Sequence, residues 1–155
     1  MKIIRSRMVR LFAVSALAAS FIAVGIQNAH AAIRIFPATG GTCVGTEVLR
    51  CLELRYDDAN ERYRARAEIT DVAGGSDAAV EVDLACAGPV GGTGDCNVGD
   101  PPGEPVKDTL ESPFESCRQG DIITVRFSAE FSWRNIGTGA TGSERRTGSA
   151  HFTCT

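Results

Sequence analysis

Large apolar side chains are scarce in this sequence: aromatic residues fill 6 % of the 155 positions, with one tryptophan and two tyrosines, and much of the remaining apolar fraction is alanine. A chain so composed builds a thin core and needs some other source of stability. Histidine is scarcer still, limited to His30 and His151, and no Cys-x-x-Cys pair occurs, so the sulfurs lack the spacing of a zinc site. There is no Gly-x-Ser-x-Gly elbow. His151 lies two residues from Ser149 with no third group to orient an imidazole, and the acidic residues are too dispersed to single out a glycosidase pair. Neither a catalytic constellation nor a metal or cofactor site is expected. No segment repeats at a fixed period, and the longest apolar run falls short of the roughly 20 residues that a membrane-spanning helix needs.

That run belongs to the start of the chain. Lys2, Arg5, Arg7 and Arg10 form a basic head, residues 11–26 are apolar apart from small residues, and Ala29, His30 and Ala31 supply a small-x-small cleavage site. These are the three parts of a signal peptide, here a short helix over residues 1–31 cleaved after Ala31. Ser6 separates Arg5 from Arg7, which argues against the twin-arginine route, and no cysteine follows the run to accept a lipid. General secretion, to the periplasm or the exterior, is the expected outcome, with residues 32–155 as one secreted β domain. The leader holds four of the sixteen basic residues and none of the nineteen acidic ones, leaving twelve against nineteen and a net charge of −7. A domain this acidic repels phosphate backbones and anionic headgroups, which excludes nucleic acid and membrane surfaces as expected partners.

All six cysteines, Cys43, Cys51, Cys86, Cys96, Cys117 and Cys154, fall in the mature part. An even count in an exported chain reads as three disulfides. The nearest-neighbour set Cys43–Cys51, Cys86–Cys96 and Cys117–Cys154 is favoured because its first two bridges close short loops that contain glycine.

Alternation of apolar and polar residues predicts strands. Tyr63, Ala65, Ala67 and Ile69 alternate with Arg62, Arg64, Arg66 and Glu68; helical spacing would scatter the same apolar residues without a stripe. Leu52, Leu54 and Tyr56 precede a turn at Asp57, Asp58, Ala59 and Asn60, and folding back there sets Tyr56 against Tyr63, Leu54 against Ala65 and Glu53 against Arg66. The same register opposes Arg55 to Arg64. After a turn at residues 74–77, Val80, Val82, Leu84 and Cys86 alternate with Glu81, Asp83 and Ala85, whose acids are expected to ladder against the arginines of the preceding strand.

Residues 87–120 are rich in glycine, proline and acids and read as a long irregular connection, with one short strand near 106–110. The core strand is residues 121–133, where Ile123, Val125, Phe127, Ala129, Phe131 and Trp133 face inward. A loop at 134–142 leads to a last strand in which Ala150, Phe152 and Cys154 share a parity. With residues 33–36 this makes about seven strands and no convincing helix in the mature part. The expected fold class is all-β: a single antiparallel β-sandwich stapled by disulfides, with a small barrel as the other option.

Gly137, Gly139 and Gly142 fit the Gly-x-Gly-x-x-Gly dinucleotide pattern, but a strand follows where that motif needs a helix, so a hairpin loop is expected. Asp95, Asp100, Glu104 and Asp108 are hard oxygen donors in one segment, without the alternating spacing of a calcium loop. Trp133, Arg134 and Asn135 end the core strand and combine the residue types that anchor interfaces. In strand number the chain resembles immunoglobulin-like domains, and Cys117, Trp133 and Cys154 loosely follow their Cys, Trp, Cys order. That resemblance implies Trp133 packed in the core against a disulfide. Function does not follow from architecture.

Three functional readings remain. The first is a non-enzymatic interaction module presenting residues 87–120 and 134–142 to a macromolecular partner that the sequence does not name. The second is a small-ligand or carbohydrate-binding carrier, although stacking on sugars would need exposed aromatics and Trp133, Tyr56 and Tyr63 all follow inward patterns. The third is a secreted hydrolase, which requires His151 within reach of a serine and a carboxylate.

Overall fold

A computed structural model describes residues 32–73, 78–100 and 106–155. Residues 1–31, where a leader is expected, residues 74–77, where a turn is expected, and residues 101–105, Glu104 among them, lie outside the described residues. Ten strands follow in order: β1 (Ile33–Pro37), β2 (Cys43–Val44), β3 (Val48–Asp57), β4 (Arg62–Asp71), β5 (Ala78–Pro89), β6 (Asp95–Val98), β7 (Lys107–Glu111), β8 (Glu115–Ser116), β9 (Ile122–Asn135) and β10 (Thr141–Thr153). No helix occurs among the described residues. The first sheet runs β1-β3-β4-β7, with β2 also on β3 and β8 also on β4; the second runs β10-β9-β5-β6. Every pairing is antiparallel.

The β3–β4 hairpin has the register that its residues require. Tyr56 opposes Tyr63, Leu54 opposes Ala65, Glu53 opposes Arg66 and Arg55 opposes Arg64. Slipping by one residue would turn Leu52, Leu54, Tyr56, Tyr63, Ala65, Ala67 and Ile69, all buried, out into water. These side chains share one core with Val80, Val82, Ala85, Ala87, Val125, Phe127, Ala129, Phe131, Ala150 and Phe152 of the second sheet. Phe152 is its aromatic hub, with ring centroids 5.1 Å from Phe36, 4.9 Å from Tyr56 and 6.0 Å from Tyr63.

Several expectations are corrected. β4 and β5 do not pair, because the chain crosses to the other sheet between them: Asp71 is buried and accepts hydrogen bonds from the backbone N–H groups of Ala73 and Ala78, shaping the corner. β5 then joins β9, while β7 and β8 take the edge of β4. Glu81 and Asp83 therefore never meet Arg62, Arg64 and Arg66. A register shift between Val82 and Leu84 breaks the alternation of β5: Val80 and Val82 point inward, but beyond the bulge Ala85 and Ala87 are the buried residues and Leu84 and Cys86 face outward. Residues 87–120 are not one long loop; they finish β5 and supply β6, β7 and β8, with β7 at the strand expected near 106–110.

The disulfides are Cys43–Cys51, Cys86–Cys96 and Cys117–Cys154, the nearest-neighbour set. The first two join directly opposed residues of β2–β3 and of β5–β6. The third links the residue after β8, in the first sheet, to the residue after β10, in the second, and so ties the sheets to each other. Trp133 is half-buried and nowhere near that bridge. The β9–β10 register puts Trp133 opposite Gly142 and Ile122 opposite Thr153, so the tryptophan and Cys154 lie at opposite ends of the sheet, roughly 35 Å apart at about 3.3 Å per residue.

Candidate functional site

The end of the molecule that carries Trp133 is built around the β9–β10 hairpin. Asn135 shapes its turn: the Asn135 N–H donates to the Ala140 carbonyl at 2.8 Å, the Asn135 carbonyl accepts from Gly139 at 2.9 Å, and its side-chain oxygen accepts from the Thr138 N–H at 2.8 Å and hydroxyl at 3.0 Å. Gly139 supplies the left-handed conformation (φ 72°) that the turn needs. The glycine run is thus a hairpin loop followed by a strand. Of the three candidate interface residues, Trp133 points inward, Arg134 is exposed on the outer face, and Asn135 is spent on the turn.

Trp133 is clamped. Its ring lies over Gly142 of β10, where any added Cβ would collide with the indole, and the Arg50 guanidinium of β3 sits 4.9 Å from the ring centroid. Arg50 is itself fixed by Glu144, Nε to Oε2 2.6 Å, and by the Val48 carbonyl at 2.5 Å. Beside this pair lies a residue that sequence reading missed. Arg146 of β10 is buried, and it donates to the carbonyls of Thr42 (2.7 Å), Arg50 (2.6 Å), Gly41 (2.6 Å) and Thr39 (3.3 Å). Burial pushes its pKa down, Glu144 acts in the opposite direction and Arg50 adds to the lowering. A guanidinium keeps its proton under such conditions, and its fork of donors matches several carbonyls at once. The one available signal was parity: Arg146 falls in step with Ala150, Phe152 and Cys154.

Three hollows border Trp133. One, of about 450 Å³, is lined by Ala79, Val80, Glu81, Ser132, Trp133, Arg134, Thr141, Gly142 and Ser143. A second, of about 220 Å³, reaches from Trp133 to Asp71 and Thr138, and a third, of about 230 Å³, runs along residues 45–48 to Arg50.

The charges differ between the outer faces of the two sheets. On the first, Arg55 pairs with Glu53 (2.7 Å), Arg62 with Asp57 (3.5 Å), Arg64 with Glu111 (2.5 Å), Arg66 with Glu68 (2.6 Å) and Lys107 with Glu68 (2.9 Å). Arg62 and Arg64 also lie 3.9 and 4.3 Å from the ring centroid of half-exposed Phe114. On the second, Ser132 donates to Asp83 (2.8 Å) and Arg145 meets Glu130 at 3.5 Å. Glu81, Arg126 and Arg134 have no side-chain partner among the described residues.

His151 is exposed on this second face, with Nδ1 2.9 Å from the Thr124 hydroxyl, so the structure brings it to a threonine and not to Ser149 or a carboxylate. Asp95 lies in β6 and Asp108 in β7; Asp108 accepts from the backbone N–H groups of Val82 and Thr109, both at 2.7 Å. Among the described residues no group of three or more His, Cys, Asp or Glu is placed to hold a metal ion, and no helix is long and apolar enough to cross a membrane. No protein-family model matches this chain, and the searches of curated proteins and of solved structures return no significant match.

Proposed function

We propose that this chain is an exported, non-enzymatic β-sandwich interaction module, immunoglobulin-like in general architecture, that meets a macromolecule through the hairpin end of its second sheet. The observation that carries this reading is the set of hollows gathered around a tryptophan immobilised by Gly142 and Arg50. With the inward Trp133 ring fixed between Gly142 and Arg50, the hairpin end is rigid, and the polar side chains it carries around the hollows lose little conformational freedom on binding. Three disulfides are consistent with an oxidising compartment, and the apolar leader accounts for delivery to one. The segment 87–120 is broken up by the end of β5 and by β6, β7 and β8, whereas residues 133–143 form one hairpin end bordered by hollows, and that end is taken as the presented surface.

The test immobilises protein purified from the culture medium or periplasm and exposes it to envelope and extracellular material from the same cells. An Arg134→Glu, Ser143→Arg double variant crowds the hairpin hollow, and Arg55→Glu alters the opposite face. A partner kept by wild type and by R55E but lost from the hairpin variant supports the reading. Retention that survives in all three proteins, or fails in all, overturns it.

A further inference from the structure

Resting on that reading of the hairpin end, we infer that the hollow on the outer face of the second sheet takes an uncharged saccharide, held by polar groups around its rim and not stacked on the indole. The juxtaposition is a carboxylate and a guanidinium that ignore each other. Glu81 is opposite Ser132 in the β5–β9 register, and Arg134 is two residues further along β9, a diagonal spacing of about 7–8 Å between backbones. Neither makes an ion pair or a side-chain hydrogen bond among the described residues. The hydroxyls of Thr141 and Ser143, both exposed, complete the rim and are likewise unpartnered among the described residues.

Vicinal sugar hydroxyls donate to a carboxylate and accept from a guanidinium, so a polyol satisfies both groups without a proton transfer or a counter-ion. One negative and one positive charge leave the rim neutral. That gives no preference for a polyanion, which the net charge of −7 outside the leader would repel. A peptide would want an apolar anchor, and the lining offers only Ala79, Val80 and Gly142 beside a tryptophan whose ring faces are taken by Gly142 and Arg50. The volume, about 450 Å³, is that of a small-molecule site.

The experiment titrates the purified disulfide-bonded protein by calorimetry with cellohexaose, chitohexaose, xylohexaose, mannohexaose and maltohexaose, with heparin as the charged comparison. Expected is saturable binding of at least one neutral hexaose, weakened tenfold or more in each of E81A and R134A, unchanged in R55A on the other face, and stronger than any binding of heparin. Absence of binding by all five hexaoses up to millimolar concentration, or binding that E81A and R134A leave unchanged, overturns the saccharide assignment. If the hexaoses fail while a macromolecule is still lost from the hairpin variant of the retention experiment, the ligand class falls and the interaction reading stands. If both fail, both fall.

Discussion

The two outer faces use the same residue types for different ends. On the first sheet, arginines and acids alternate across β3, β4 and β7 and each named charge finds an opposite within 4.0 Å, so the face is self-contained and even the unfavourable Arg55–Arg64 opposition is neutralised by Glu53 and Glu111. On the second sheet, acids and bases are interleaved with serine and threonine, and Glu81, Arg126 and Arg134 are left over among the described residues. Exposed pairs contribute about 0–1 kcal/mol each, so the first face holds register and solubility more than it adds stability. Unpaired groups contribute nothing to folding and remain available to a ligand. Charge content alone therefore does not distinguish the two faces; pairing does.

The strongest way to break this contrast is to unfasten the sheets that carry the two faces. Arg146 holds four carbonyls, three from the β1–β2 connection and that of Arg50 in β3, and Arg146→Leu leaves them facing an apolar side chain. A loss of about 3–5 kcal/mol in urea-induced unfolding is expected, with Arg146→Lys recovering only part of it, since an ammonium lacks the planar fork. Removing the cross-sheet bridge with Cys117→Ser and Cys154→Ser should cost about 3.8 kcal/mol by loop entropy, against about 2.7 kcal/mol for the Cys86–Cys96 pair, because the closed segments differ in length (sequence separations 37 and 10). Equal losses would place the sheet-to-sheet tie elsewhere. Smaller again is Gly148→Ala, where the added methyl meets the Phe127 ring; overpacking of this kind costs about 1–3 kcal/mol, and Phe127→Leu in the same chain should return part of the loss.

How much of this was legible follows from how local each feature is. The β3–β4 register could be read because Tyr56 and Tyr63, Leu54 and Ala65, and Glu53 and Arg66 reinforce one alignment across a four-residue turn. The bulge at Asp83 could not, because Leu84, Ala85, Cys86 and Ala87 are apolar at both parities and alternation says nothing there. The crossing from β4 to β5 depends on what the far end of the chain brings to each edge, and no window around residues 71–78 contains that information. Arg146 was hidden by its type: a charged residue is ordinarily exposed, and only the strand parity contradicted that. Trp133, Arg134 and Asn135 stood out as residue types, whereas Glu81, Thr141 and Ser143 look like any outward polar residues until their lack of partners among the described residues is seen in three dimensions. The expectation that Trp133 packs against a disulfide failed because an order of Cys, Trp and Cys along the chain carries no information about which end of a strand each occupies.

The most direct measurement of the contrast between the faces compares urea unfolding, at low ionic strength and in high salt, of R55A/R62A/R64A with that of E81A/R134A. The first-face variant should lose about 1–3 kcal/mol at low salt, from its ion pairs and from the arginines over Phe114, and much less in high salt; the second-face variant should stay within about 0.5 kcal/mol of wild type in both. A second-face variant destabilised as much as the first would mean that Glu81 and Arg134 serve the fold, contradicting the assignment of that face to recognition.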